Sequence, residues 1–137
     1  MSQPRLIHLA AVAAGGAIGA LLRVAFATRF PTLPGQFPIT TLAENVVGAF
    51  LLGALLMLLH DRLRDGKTLY LFACTGILGS FTTFSNVSVE IVNLAVEQSY
   101  AHALLYPLAS VAAGLAAAFA GMRAAHGLAR PRRKGGA

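Results

Sequence analysis

Gly76-Ile77-Leu78-Gly79-Ser80-Phe81-Thr82-Thr83-Phe84-Ser85-Asn86-Val87-Ser88-Val89-Glu90 interrupts a long apolar segment with two glycines, six small polar residues and an acid. Hydrocarbon offers no hydrogen bonds, so polar groups persist at membrane depth only where protein buries them or where they line a wet path. Glycine also weakens a helix by about 1 kcal/mol relative to alanine. Gly76 and Gly79 stand ahead of Thr82 and Thr83, a β-branched, hydroxyl-bearing pair. Together they favour an unwound turn whose carbonyls are free to coordinate something. The stretch therefore predicts a helix broken within the membrane and lining an ion pathway.

The flanking composition supplies that membrane. The 137 residues are 56% hydrophobic and 12% charged, with mean hydropathy +0.67, against an apolar share of roughly 45–50% in soluble domains. A bilayer core takes about 20 apolar residues per helix, and four windows reach that length: residues 6–27, 39–59, 68–94 and 103–122. The expected fold class is all-α, with one transmembrane domain over residues 1–126 and a basic, disordered tail over 127–137. Ala25-Phe26-Ala27 has the form of a signal-peptidase site, but Arg23 and the length of the span argue against cleavage. A net charge of +6 and a pI near 10.5 would suit a nucleic-acid binder. The basic residues, however, gather at span ends without an aromatic platform, which fits anchoring to membrane lipid, and no nucleic-acid partner is expected. Cys74 lies in an apolar run, excluding a disulfide framework or a Cys-based metal site. His8, His60, His102 and His126 lack metal-ligand spacing and no nucleophile has an evident base, so an enzyme is not expected.

In the first span Gly16, Gly19 and Ala20 recur at three and four, baring one helical face for close packing. Arg23 near its far end either snorkels to the headgroups or sits as a buried cation beside a pore or an acid. Pro31, Pro34, Gly35 and Pro38 break the chain before the second span. There Thr41, Glu44, Asn45 and Gly48 share one face, which is polar in hydrocarbon. Residues 60–67 form a charged loop turning at Asp65-Gly66. In the fourth span Gly114, Ala118 and Gly121 read as a packing seam, while Tyr106 and Ser110, one turn apart, can offer hydroxyls to a pore.

Gly79-Ser80-Phe81-Thr82-Thr83-Phe84-Ser85, preceded by Thr41-Leu42-Ala43-Glu44-Asn45-Val46-Val47-Gly48 and by Gly16-Ala17-Ile18-Gly19-Ala20-Leu21-Leu22-Arg23, resembles the Fluc/CrcB family of bacterial fluoride channels. The resemblance covers all four spans in order and spacing. It implies an antiparallel dimer with two pores and a central structural sodium ion, not transported, held by carbonyls at the break in helix three. By motif position those carbonyls belong to Gly79 and Thr82, the pore asparagine is Asn45 and the first pore phenylalanine is Phe84. Tyr106 and Ser110 match a polar track on helix four, and Glu90 matches the family's acid after the motif. Arg23, Thr41 and Thr83 are expected to support the site. Fluoride is small and tightly hydrated, so a pore must replace its shell with donors. The Asn45 amide, the Ser85 and Ser110 hydroxyls and the Tyr106 phenol are donors this chain supplies, and the positive edge of Phe84 can stabilise an anion without closing around it. The expected function is passive exit of cytoplasmic fluoride, which relieves its toxicity because HF enters, ionises and is trapped.

The departures carry information too. The family's Thr-Thr-Phe-Ser-Thr-Phe reads Thr82-Thr83-Phe84-Ser85-Asn86-Val87, so the second ring is missing, and Phe81 occupies a different motif position. Gly114 stands where a track hydroxyl is frequent, and Glu44 where an apolar residue is usual. An ionised Glu44 beside Asn45 would repel fluoride, so it must face away, pair with a cation such as Arg23, or be protonated. With four spans, Arg5, Arg62, Arg64, Lys67, Arg130, Arg132, Arg133 and Lys134 share one side and Arg29 the other. That asymmetry predicts an inner-membrane protein with both termini cytoplasmic. Inverted copies of one chain need balanced charge, so the dimer expected here is a heterodimer with an oppositely oriented relative. Two alternatives follow from the same residues. A four-span proton-coupled drug exporter would place its acid in helix one, where there is none, and would depend on the proton gradient. A non-conducting structural subunit would tolerate substitution of Asn45 or Phe84.

Overall fold

The computed structural model describes residues 3–59 and 67–129. Helix α1 runs Gln3–Arg29 and α2 runs Ile39–Leu59. The third span is composite: α3 (Lys67–Tyr70), a π-helical stretch (Leu71–Leu78), α4 (Gly79–Phe81) and, after two extended residues, α5 (Phe84–Val96). Helix α6, Tyr100–Ala129, completes the chain. Four helical segments are long and apolar enough to cross a bilayer, which makes this an all-α, multi-pass membrane protein with a broken third span. The window expected over 39–59 coincides with α2, while the other three fall short of their helical segments, most of all the last. Helix α6 continues through residues 127–129, assigned above to the tail, with Gly127 inside it and the first proline beyond it at position 131. The remaining tail, residues 130–137, and the turn at Asp65-Gly66 lie outside the described residues.

Proline and left-handed residues set the connections. Pro38 closes the first one, its carbonyl accepting the opening bond of α2 from Leu42 N–H at 3.1 Å. Gly35 takes φ +73°, and its carbonyl faces Ser99 Oγ at 3.4 Å and His102 Nδ1 at 3.3 Å, tying this connection to the start of α6. Helix α5 ends in a Schellman arrangement: Gln98 at φ 59° donates to Ala95 O, and Ser99 N–H reaches Leu94 O.

Two seams of small residues bring backbones together. Helix α1 lies along the π-helical stretch, and α2 lies along α6. Gly15 and Gly19 face the Phe72 and Ile77 carbonyls, and a Cβ on Gly76 would stand 2.9 Å from Gly15 Cα. The first seam is therefore Gly15–Gly19 with Gly76, rather than the Gly16–Gly19–Ala20 stripe expected. Gly76 is needed for approach, not for unwinding. In the second seam Gly53 meets the Ala118 carbonyl and Gly121 that of Phe50. Gly114 is not part of it, since a Cβ there would meet nothing within 4 Å. Between α5 and α6 a small core forms from Val87, Leu94 and Tyr106, with Phe37, Leu42, Ile91 and Ala103 packed around it.

Candidate functional site

The break falls at the threonines. Thr82 (φ −73°, ψ 151°) and Thr83 (φ −148°, ψ 124°) are extended, whereas Gly79 remains helical. Local chemistry explains the location. Thr82 Oγ1 donates back to Leu78 O at 2.9 Å, ending the upstream helix. Thr83 is the N-cap of α5, its Oγ1 accepting from Asn86 N–H at 3.1 Å while sharing a hydrogen bond with Ser85 Oγ at 3.1 Å.

Asn45 of α2 then clamps the exposed backbone. Its Nδ2 donates to Thr83 O at 3.0 Å and its Oδ1 accepts from Thr83 N–H at 2.8 Å. These pairings have a consequence for two carbonyls. In an uninterrupted helix Thr83 N–H would bond Gly79 O and Asn86 N–H would bond Thr82 O. Both donors are taken elsewhere, so the carbonyls of Gly79 and Thr82 are released from the ladder.

On one side of the break opens a cavity of about 500 Å³ whose walls include Asn45, Gly79, Thr82, Thr83, Phe84, Val87, Ser110 and Gly114. Three features there suit a small anion. Ser110 Oγ has no hydrogen-bond partner among the described residues. Asn45 has a second amide hydrogen beyond the one given to Thr83. Phe84 is 80% exposed, its ring standing free at the cavity wall. Val87 fills the position of the missing second ring and is buried.

On the other side a second cavity of about 380 Å³ lies between the first connection and α5, lined in part by Thr40, Thr41, Asn86, Glu90, Asn93 and Glu97. Glu90 is its anchor: Oε1 accepts from Thr41 Oγ1 at 2.6 Å and Oε2 from Tyr106 Oη at 2.5 Å. Tyr106 is wholly buried, and its ring packs edge-to-face on Phe37 with centroids 5.4 Å apart.

The expected residues thus divide into two groups that meet at the break. Asn45, Gly79, Thr82, Thr83, Phe84 and Ser110 share the first cavity; Thr41, Glu90 and Tyr106 form a hydrogen-bonded cluster at the second. Ser85 is exposed and bonded to Thr83, outside both linings, and Arg23 on α1 is half-buried and lines neither. Phe81 packs on Phe26 of α1, centroids 6.2 Å apart, as its different motif position implied. Asn93 and Glu97 are not among the residues the sequence singled out, although with Asn86 and Glu90 they recur at four, three and four along α5 and its C-cap, the signal of one helical face.

A family model described as "CrcB-like protein, Camphor Resistance (CrcB)" matches residues 10–122. A protein named fluoride-specific ion channel FluC from Agrobacterium fabrum (strain C58 / ATCC 33970) is 42% identical over 85% of this chain and 94% of its own length. FluC 3 of Streptomyces avermitilis is 45% identical over 83% of this chain, which spans 56% of that relative. FluC 2 of Nocardia farcinica (strain IFM 10152) is 40% identical over 85% of this chain and 84% of its own length.

Proposed function

The chain belongs to the CrcB-like family, and from that membership we propose that it is a subunit of a fluoride-specific channel, through which the ion leaves the cytoplasm down its gradient without catalysis or coupling. The observation that carries this reading is one cavity walled by Asn45 with an amide hydrogen to spare, by the exposed Phe84 ring, and by Ser110, whose buried Oγ has no hydrogen-bond partner among the described residues. Donors already positioned replace water around a small anion without reorganisation, which is how a dry site selects for charge density. One helical turn before Asn45 on α2, Thr41 belongs to the second polar cluster, with Glu90 and Tyr106.

A structural sodium ion fits the break. The released carbonyls of Gly79 and Thr82 are hard oxygen donors without their helical partners. They would hold the ion, and it would neutralise the carbonyl dipoles gathered there. A second, oppositely oriented chain would bring the matching pair of carbonyls and cover Phe84, whose exposure in one copy is difficult to reconcile with lipid beside the polar groups around it. We place the dimer in the bacterial inner membrane with this chain's termini cytoplasmic, from its charge asymmetry.

A non-conducting role keeps one observation in its favour, the aliphatic Val87 in the cavity wall. Fluoride-electrode recording from proteoliposomes separates the two readings. This chain, reconstituted with its oppositely inserted relative, should release fluoride and retain chloride, and Phe84→Ala or Ser110→Ala should slow release by about tenfold or more, the cost of losing one good stabilising contact. Release unaffected by both substitutions would assign conduction to the partner's residues, and no release from the pair would end the channel reading.

A further inference from the structure

Among the described residues, Glu44 is the one buried acid that the channel reading leaves without a task. It is 1% exposed, follows Thr41 by one helical turn, and precedes the clamp residue Asn45. Three dispositions were open to it: turned away, paired with a cation, or protonated. The first holds, because Glu44 is absent from the wall of the cavity that Asn45 lines. The second does not account for Oε1, which has no hydrogen-bond partner, cationic or otherwise, among the described residues. Charged groups face Glu44 from two elements, Arg23 on α1 and Glu90 on α5. Glu44 thus has one cation and one other acid within electrostatic reach, and hydrogen-bond donors are unequally shared between the two acids. Glu90 receives a hydroxyl on each oxygen, from Thr41 and from Tyr106, whereas Glu44 Oε1 receives none from the described residues.

An ionised carboxylate is an acceptor only, and buried without donors it neutralises instead of remaining charged. Environments that treat two neighbouring carboxyls differently assign one as the anion and the other as the acid. We propose that Glu44 is a proton-binding site within the membrane, a neutral carboxylic acid at neutral pH, and that its ionisation lowers anion flux through the adjoining cavity. A fixed negative charge one residue from Asn45 opposes any halide there, with little solvent to screen it. The flux part rests on the channel reading; the proton site does not.

Infrared spectroscopy of the full chain in lipid bilayers, recorded from neutral to alkaline pH, tests the proton site directly. The carbonyl stretch of a buried carboxylic acid should be present at neutral pH, persist in Glu90→Gln, vanish in Glu44→Gln, and convert to carboxylate bands on alkalinisation. Glu44→Val serves should the amide not insert. A band absent from the unaltered protein, or retained by the Glu44 variants, overturns the site. Fluoride release from proteoliposomes of the channel assembly should fall as pH rises, by up to about tenfold per pH unit once the group titrates, and the Glu44→Gln profile should be flat. Equal profiles for the two overturn the flux effect alone. A band that behaves as expected in a protein that moves no fluoride would reject the channel reading while the proton site stands.

Discussion

Asn45 and Ser110 line the same cavity yet hold opposite positions in the energetics. Asn45 reaches both backbone groups of Thr83, at 3.0 and 2.8 Å, and for the N–H, which lies ahead of α5, it takes the place of a helical partner. Removing it with Asn45→Ala leaves that N–H unpaired away from water, at about 1–3 kcal/mol, while the Thr83 carbonyl keeps its place as the N-cap acceptor of α5. The expected result is a marked fall in thermal unfolding temperature in detergent, together with lost fluoride release. Ser110 Oγ has no hydrogen-bond partner among the described residues, so Ser110→Ala should leave the unfolding temperature within the range of a change of about 0.5 kcal/mol while release slows. If both variants unfold alike, the division into clamp and free donor is wrong. Sequence alone placed both residues at the pore and could not separate them. An amide's partners depend on the register between α2 and a break some forty residues away in the chain, and spacing within one helix carries no record of that register. The Thr41–Glu90–Tyr106 cluster was hidden for the same reason: its members were visible individually, but the carboxylate that joins two hydroxyls is a product of three helices meeting.

At the scale of elements, glycines that look equivalent along the chain separate by what stands opposite them. A methyl group on Gly121 would overlap the Phe50 carbonyl and one on Gly114 would meet nothing within 4 Å. Gly121→Ala should therefore force α2 and α6 apart and destabilise by about 1–3 kcal/mol, whereas Gly114→Ala should be neutral or stabilising by up to about 1 kcal/mol through helix propensity. Thermal unfolding in micelles reads both, and a Gly114 variant as damaging as the Gly121 variant would contradict the geometry. The end of α5 offers a complementary case. Gln98 holds a left-handed conformation at φ 59°, which costs a side-chain-bearing residue about 1–2 kcal/mol that glycine avoids, so Gln98→Gly should raise the unfolding temperature. Four spans and an interrupted third were legible because hydropathy and composition are properties of the chain itself. The π-helical stretch Leu71–Leu78 was not: its apolar residues suit an α-helix equally, and the Gly79 N–H that reaches Cys74 O five residues back is fixed by packing against α1.

For the whole molecule the decisive quantity is where the charge lies. Arg5 and Lys67 stand at the ends of α1 and α3 that share one membrane face, and Arg29 stands at the opposite face with its guanidinium 5.2 Å from the Phe30 ring centroid. The sequence adds Arg62, Arg64, Arg130, Arg132, Arg133 and Lys134 to the first face. An excess of this kind favours one orientation of a membrane protein, whereas the sodium site proposed above would need a partner inserted the other way. Both would hold together only if the partner were a different chain, which is the heterodimer proposed here. Gln36 lies exposed in the first connection, on the face with few cations, and the native Cys74 is buried. In Gln36→Cys, an impermeant thiol reagent added to intact cells should therefore label essentially every copy. Labelling of about half the copies is what an inverted homodimer would produce, since an impermeant reagent reaches one side alone. Should that fraction appear, and the chain by itself release fluoride at the rate of the two-chain assembly, the inference from charge to heterodimer would fail even though the site geometry would stand.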